Sequence, residues 1–481
     1  MALNKTEFIA GLQCEKHIFL RIHHPELMEV TESPAKVTGK VVEEHARREF
    51  PDAILVERNN PDFNPFTKTE QLLNDPSVSI IFEAAIFSDD LTLFVDVLSR
   101  EKTGWVLTEI KAGTRIEDKY IDDVTIQAVA LEQADIPVST FEVMHINNDF
   151  VYQGDHRYEG LFIREDITEQ VLAHKPFIEE QLARLEEIVN GSQPDKHIGP
   201  YCKKPYPCPF KKYCESHDAK YPVTCLPRGW QVAQRMLATG IYEIRDIPED
   251  VLNSETHLRI WRITRTGKPE LLTEVKSVLK ELEYPRYFLD FESIQFAIPK
   301  WVGTSPYQQL PFQWSCHIEQ EPGELMHAEF LDTSGDDPRI AFAKSLLEAC
   351  GVSGPIIVYN QTFEKNVIRG LADLLPDYRD QLLALNERIV DLLPIVRKHY
   401  YHPDMKGSWS IKSVLPCLVP ELSYSELGTV QDGTQAQAAY FKLITEDGLN
   451  EAERQKLKTD MLEYCKLDTF AMVRIVEELS K

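Results

Sequence analysis

The stretch YPRYFLDFES, residues 284–293, decides how the C-terminal half of the chain is read. Its apolar, aromatic run contains Asp290 and Glu292, spaced i, i+2. Successive side chains of a strand point to opposite faces, so these two carboxylates share one face. Aromatic neighbours on both sides argue for burial beside a cation. Outward from it, YNQTFEKNVI (359–368) follows a second apolar run at 355–359 and offers Asn360 and Glu364. MLEYCKLDTFAMVRI (461–475) reads as a helix with Tyr464 and Asp468 at i, i+4, hence on one face. Four acids drawn from strands and helices in this way can hold two divalent cations about 4 Å apart. Such a pair clamps the attacking and leaving oxygens of a phosphodiester.

These motifs resemble the DEDD family of 3′–5′ exonucleases on an RNase H-like fold. Asp290-x-Glu292 is similar to its first motif, Asn360 with Phe363-Glu364 to its second, and Tyr464-x3-Asp468 to the tyrosine form of its third. The resemblance implies that Tyr464 orients the attacking water. The segment 388–416, RIVDLLPIVRKHYYHPDMKGSWSIKSVLP, resembles the family's stretch between second and third motifs, with Asp391 near its start. One departure is Glu364, where the family has Asp; the extra methylene shifts a ligand by about 1.5 Å unless the backbone compensates.

A second set of acids lies in the N-terminal half. Asp96 ends LTLFVD (91–96), and VLTEIKAG (106–113) places Glu109 and Lys111 on one face of a neighbouring strand. Two carboxylates can hold a cation that activates water, and a lysine beside them can neutralise developing charge. Glu83 on the preceding strand offers a further ligand. The order Glu83, Asp96, Glu109-x-Lys111, then Tyr120 and Gln127 on the next helix, resembles the RecB-like branch of the PD-(D/E)XK nucleases. His45 follows Gly39 at a spacing unlike that branch's metal-binding His, and reads as a surface helix residue.

Cys202, Cys208 and Cys214 form C-x5-C-x5-C in 197–214, and Cys14 stands in GLQCEKHIF (11–19). Zinc sites usually hold closer pairs. Wider spacing suits an iron–sulfur cluster, whose cysteines can come from distant segments. One cysteine before the acids and three after resembles the iron–sulfur RecB-like nucleases and implies a 4Fe-4S cluster, although those proteins usually carry a C-x2-C; zinc stays the alternative. Cys225, Cys316, Cys350, Cys417 and Cys465 read as small apolar core residues.

The chain has 481 residues, enough for two or three domains, and a net charge of −25. That charge opposes a uniformly basic nucleic-acid binder but leaves room for a local basic groove. Lys203–Lys212 carries four lysines and no acid, and Arg397–Lys412 carries Arg397, Lys398, Lys406 and Lys412 against one acid. Either also reads as a solvated loop. No window is apolar enough to span a membrane, and MALNKTEF lacks a signal pattern, so a cytoplasmic protein is expected.

The expected architecture is α/β: a restriction-endonuclease-like domain with the cysteines over 1–220, a helical linker over 221–280, and an RNase H-like mixed-sheet domain over 281–481. Within the linker, LATGIYEIRDIPED (237–250) resembles half of a helix-hairpin-helix element, although a plain helical spacer is the reading preferred. Nearly the whole chain resembles a bacterial family described as domain of unknown function 2779, through YPRYFLDFES, PYQQLPFQWSCH (306–317) and KGSWSIKSVLP (406–416). The expected function is that of a hydrolase: a nuclease dependent on Mg2+ or Mn2+, with two centres, acting on DNA ahead of RNA. Protein partners in repair or defence would fit it. A nucleic-acid-binding or assembly subunit with one or both nuclease sites inactive is the alternative, as is an RNA-processing exonuclease.

Overall fold

The computed structural model describes residues 2–29, 34–216, 219–446 and 448–481. It is mixed α/β and divides into two units, residues 1–218 with 296–307, and 219–295 with 308–481. The helical stretch 221–280 therefore belongs to the second unit. Among the described residues, no helix is long and apolar enough to cross a membrane.

The first unit is built on a seven-stranded sheet: β1 (Leu3–Asn4), β2 (Ile54–Leu55), β3 (Ile80–Phe87), β4 (Leu91–Glu101), β5 (Gly104–Lys111), β6 (Val138–Ile146) and β7 (Phe162–Asp166). The order is β2-β3-β4-β5-β6-β7, with β1 beside β4. The hairpin β3–β4 turns at Ser88–Asp90, where polar residues interrupt two apolar runs. The helix Asp118–Gln133 makes the crossover between the parallel strands β5 and β6. One edge of β4 is shared. Leu91 and Thr92 pair with Leu3 and Asn4, while Val97–Glu101 pair with β5. Asp96 lies in the gap between them. The helix Thr168–Asn190 ends at Gly191, which is extended, with φ −94°, and not left-handed.

The second unit holds a two-stranded sheet, β8 (Glu270–Leu271) with β14 (Tyr400–Tyr401), and a five-stranded one. The larger sheet has β9 (Arg286–Ile294), β10 (Leu310–Glu319), β11 (Leu325–Leu331), β12 (Ile356–Val358) and β13 (Ile389–Asp391), in the order β11-β10-β9-β12-β13. Strand β9 is central, antiparallel to β10 and parallel to β12. The sequence pattern assigns no strand to β10 and β11. Strand β10 is buried almost throughout, so it lacks the polar alternation that marks a half-exposed strand. Tyr287, Leu289 and Phe291 face the core formed with the helices Arg339–Cys350 and Thr362–Leu374. The alternate residues Asp290 and Glu292 therefore face the other side, where the 30-residue helix Glu451–Ser480 lies across β9 and β10. That helix is fixed by buried polar bonds. Gln313 Nε2 donates to the Met461 carbonyl at 2.8 Å, and Thr469 Oγ1 is 2.9 Å from Ser315 Oγ and 2.8 Å from His317 Nδ1.

One carboxylate sets the turn that leads into the helix Thr362–Leu374. Asp391, at the end of β13, accepts from the amides of Asn360 (2.9 Å) and Gln361 (3.2 Å), and caps the helix Leu392–His399 through Leu393 N (3.0 Å). Asn360 is left-handed, with φ 76°, a conformation that costs energy and needs such support. Asp391→Ala removes the acceptor of three amides and is expected to cost about 2 kcal/mol in urea unfolding. A loss below about 0.5 kcal/mol would show that the turn holds itself.

Candidate functional site

On the second unit's sheet, the structure brings Asp290, Glu292 and Asp468 together. One ligand oxygen from each lies within 4.8 Å of the others, the only such group of three potential metal ligands among the described residues. Glu364 enters from the first turn of its helix, is 2% exposed, and its Oε2 has no hydrogen-bond partner. Its charge acts on both Asp290 and Glu292. Burial raises all four carboxyls above their ordinary range, and the charges of the neighbouring acids add to it at Asp290 and Glu292. Glu292 is pushed up to about 8 by burial and by Asp468, against the pull of Lys412. Glu364 is pushed up to about 8 by burial. Asp290 is well above the usual value, through burial and the charges of Asp468, Glu292 and Glu364. Asp468 rises less, to about 6, because the hydroxyls of Tyr424 and Tyr464 hydrogen-bond to it.

Two residues of this centre escape the motif reading. Tyr424 donates to Asp468 Oδ1 at 2.5 Å. Lys412 Nζ sits over the rings of Tyr424 and Tyr464, 5.2 and 5.0 Å from their centroids, and donates to the Gln431 carbonyl at 2.7 Å. Lys412 shows in the sequence only as part of a basic stretch; nothing marks Tyr424. Cys465, read as a core thiol, is buried but rests 3.7 Å from Asp290 Oδ2. An orphaned carboxylate oxygen beside a crowded group of acids fits a divalent cation, and Asp290, Glu292, Glu364 and Asp468 are the residues that could hold it.

In the first unit, Lys111 pairs with Glu109 Oε1 at 2.6 Å and with Asp123. Gln127 Nε2 donates to Glu109 Oε2 at 2.8 Å. Asp96 Oδ2 accepts the Ile110 amide at 2.9 Å, taking over a bond the open edge of β4 leaves unmade. Burial, then Glu109's charge, push Asp96 up to about 8. Two members are new. Lys5, placed by the pairing of β1 with β4, reaches Glu109 at 2.9 Å and Asp123 at 3.1 Å. Burial opposes ionisation of Asp123, but Lys111 and Lys5 outweigh it and hold the carboxyl below its usual range. Asp123 lies one turn before Gln127 on one helix face, a spacing that could have exposed it; Lys5 is 104 residues from Glu109 and carries no such signal. Tyr120 lines a cavity of about 730 Å3 beside Lys111, with Arg115, Lys119 and Tyr206.

Glu83 stands apart from these acids in its contacts. The β3–β4 register places it opposite Asp96, but with φ 58° its carboxylate pairs with Arg58 at 2.6 Å. His45 is half-buried, edge-on to Tyr158 at 5.3 Å, and bonded to the Val41 carbonyl at 3.0 Å.

The four cysteines converge. Cys14 caps the helix Glu15–His23, and the preceding Gln13 donates to the carbonyls of Tyr201 (2.6 Å) and Tyr206 (2.7 Å), tying it to the later cysteines. Burial, then the charges of Cys202, Cys14 and Cys214, push the Cys208 thiol up to about 12. No three of these sulfurs lie within 4.8 Å of one another.

Fold and sites together define a mixed α/β protein with a close group of buried carboxylates in its second unit. Residues 287–410 match the model of a family described as domain of unknown function (DUF2779). The matched stretch contains Asp290, Glu292, Glu364 and Asp391, and stops short of Lys412, Tyr424, Tyr464 and Asp468. No curated protein matches the chain.

The raised carboxyls have a consequence for stability. Between the ordinary Glu value near 4.5 and about 8, the unfolded chain releases protons that Glu292 and Glu364 keep in the fold. Stability of the metal-free protein is therefore expected to fall as pH rises through that window. In EDTA, the unfolding midpoint should drop by several degrees from about pH 6 to about pH 8, and Mn2+ should restore it at the higher pH. Asp290→Asn, which removes one like charge, should flatten the profile. A wild-type midpoint that ignores both pH and Mn2+ would refute the electrostatic account.

Proposed function

We propose that this chain is a metal-dependent nuclease, acting on DNA ahead of RNA. The observation that carries the proposal is the buried group of Asp290, Glu292 and Asp468, with the orphaned oxygen of Glu364 beside it. A central acid-bearing strand in a five-stranded mixed sheet supports the RNase H-like, DEDD-type reading. Bound Mg2+ or Mn2+ would polarise the phosphodiester and make water a better nucleophile. The chain's own residues do the rest. Asp468 is held in place by the hydroxyls of Tyr424 and Tyr464. Both phenols stay protonated because burial and Asp468 raise them far above their usual range, so they serve as donors. Lys412 places a positive charge where a phosphate approaching the acids would develop negative charge.

The first unit supports a second centre of the PD-(D/E)XK type, with Lys111 and Gln127 both fixed on Glu109. Its chemistry differs in one respect. Lys5 and Lys111 already neutralise Glu109 and Asp123, so a cation held by Asp96 and Glu109 must displace Lys5. That observation favours nucleic-acid binding, with slower cleavage, at this unit.

For the cysteines, the wide C-x5-C-x5-C spacing of Cys202, Cys208 and Cys214, with Cys14 from a distant segment, supports a cluster ahead of zinc. A tetrahedral Zn–S4 site with bonds of about 2.3 Å needs sulfurs about 3.8 Å apart. Sulfurs bound to different irons of one cluster stand wider.

Two outcomes test the proposal. With Mn2+ and labelled single-stranded DNA, Asp290→Ala made in a Lys111→Ala protein should abolish products, because a cation position is emptied. Tyr464→Phe in the same background should lose about 10²-fold and leave a measurable remainder. If Asp290→Ala cleaves as its parent does, the second unit is not a nuclease. Protein purified without oxygen should be brown and contain iron and sulfide, and Cys208→Ala should lose both and unfold at lower temperature. Stoichiometric zinc without iron would establish the zinc alternative.

A further inference from the structure

The second unit has a basic cavity outside its carboxylate centre. It measures about 480 Å3, and its lining includes Arg259, Arg262, Arg397 and Lys398 together with one acid, Glu255, and Thr256. On a chain of net charge −25, such a concentration of cations is conspicuous. Part of it is compensated: Glu270 pairs with Arg259 at 2.5 Å and with Arg262 at 2.6 Å. Arg397 and Lys398 are exposed and have no carboxylate within ion-pair distance among the described residues. Arg259 is held rigidly, with Nη1 donating to the Arg397 carbonyl at 2.5 Å, yet its Nη2 is buried without a partner. The cavity also meets the first turn of the helix Glu255–Thr266, whose N-cap Ser254 makes no side-chain bond to the free amides. Each feature favours an anion, and the fork of a guanidinium matches phosphate oxygens.

The cavity is mechanically tied to the carboxylate centre. Arg397 and Lys398 lie on the helix Leu392–His399, which starts at Asp391. Asp391 fixes the turn that presents Glu364. From Asp391 to Arg397 the helix rises about 9 Å, at about 1.5 Å per residue. Arg397 also lies over Trp409, 5.8 Å from the ring centre, and the Trp409 carbonyl accepts from Tyr359, next to Asn360. A polymer with phosphates along its length could occupy both places at once, which a free phosphate could not.

We propose that this cavity is a phosphate-binding subsite for the nucleic-acid backbone, gripping the strand at a phosphate other than the one at the acids. It deepens the nuclease reading and rests on it. The arginines and Lys398 position the strand and take no part in bond cleavage.

The test is a double variant, Arg397→Ala with Lys398→Ala, both exposed and outside the carboxylate centre. The probe is a fluorescein-labelled single-stranded 12-mer oligodeoxynucleotide in EDTA, so that binding is read without the cations the acids would hold. The variant should bind at least tenfold more weakly. Its dependence of log affinity on log salt should be shallower by about 1, the signature of one lost phosphate contact. The midpoint of thermal unfolding and its response to Mn2+ should match wild type, which excludes a general loss of structure. Equal affinity and slope in variant and wild type would overturn the subsite. So would an unchanged oligonucleotide affinity accompanied by lost binding to anionic lipid vesicles. Mn2+-dependent cleavage, followed in parallel, separates the two proposals: its absence from wild type counts against the nuclease reading, while an unaltered 12-mer affinity in the variant counts against the subsite alone.

Discussion

Burial of neighbouring carboxylates is the constraint around which the second unit is organised. Asp290, Glu292, Glu364 and Asp468 are held together, with Lys412 as a charged counterweight to Glu292 and Asp468. Left alone, such a group resists ionisation, and its oxygens are driven apart. The surrounding structure overrides that tendency. Strand β9 is locked between β10 and β12, the long helix is pinned through Gln313 and Thr469, and Asp391 clamps the turn before Glu364. The fold thus holds in place a charge distribution that a divalent cation or protons can relieve.

The first unit solves a similar problem by other means. There the acids Asp96, Glu109 and Asp123 are matched by two lysines, and the charge is nearly balanced within the protein. Lys5 owes its place to the two-residue strand β1, which occupies the part of β4's edge that β5 does not use. The same unused edge frees Asp96 to accept the Ile110 amide. One interruption in strand pairing therefore supplies both an acid and a cation to the centre. The two units differ in how far their own lysines offset the carboxylates, a difference of charge count and not of carboxylate number alone.

Much of this was legible in the chain itself. The i, i+2 spacing of Asp290 and Glu292, with aromatics between and around them, placed both on one face of a buried strand, and the structure has them there. The i, i+4 spacing of Tyr464 and Asp468 put them on one helix face, and both face the acids. Glu109, Lys111 and Gln127 meet as their strand and helix periodicities require. These are local relations, fixed by 2-residue and 3.6-residue repeats that any strand or helix obeys.

What the chain alone could not settle depended on distance along it. Lys5, Lys412 and Tyr424 belong to the centres because sheet order and helix packing carry them there, across separations no periodicity spans. Glu83 shows the converse: register sets it opposite Asp96, but a left-handed backbone and Arg58 turn its carboxylate to another partner. Strand β10 was missed because burial on both faces removes the alternation by which strands are recognised. The sequence determined which face of its strand or helix each of the quoted acids would take. Tertiary structure decided which charges are balanced, because balance is a property of neighbours in space, and most of those neighbours come from elsewhere in the chain.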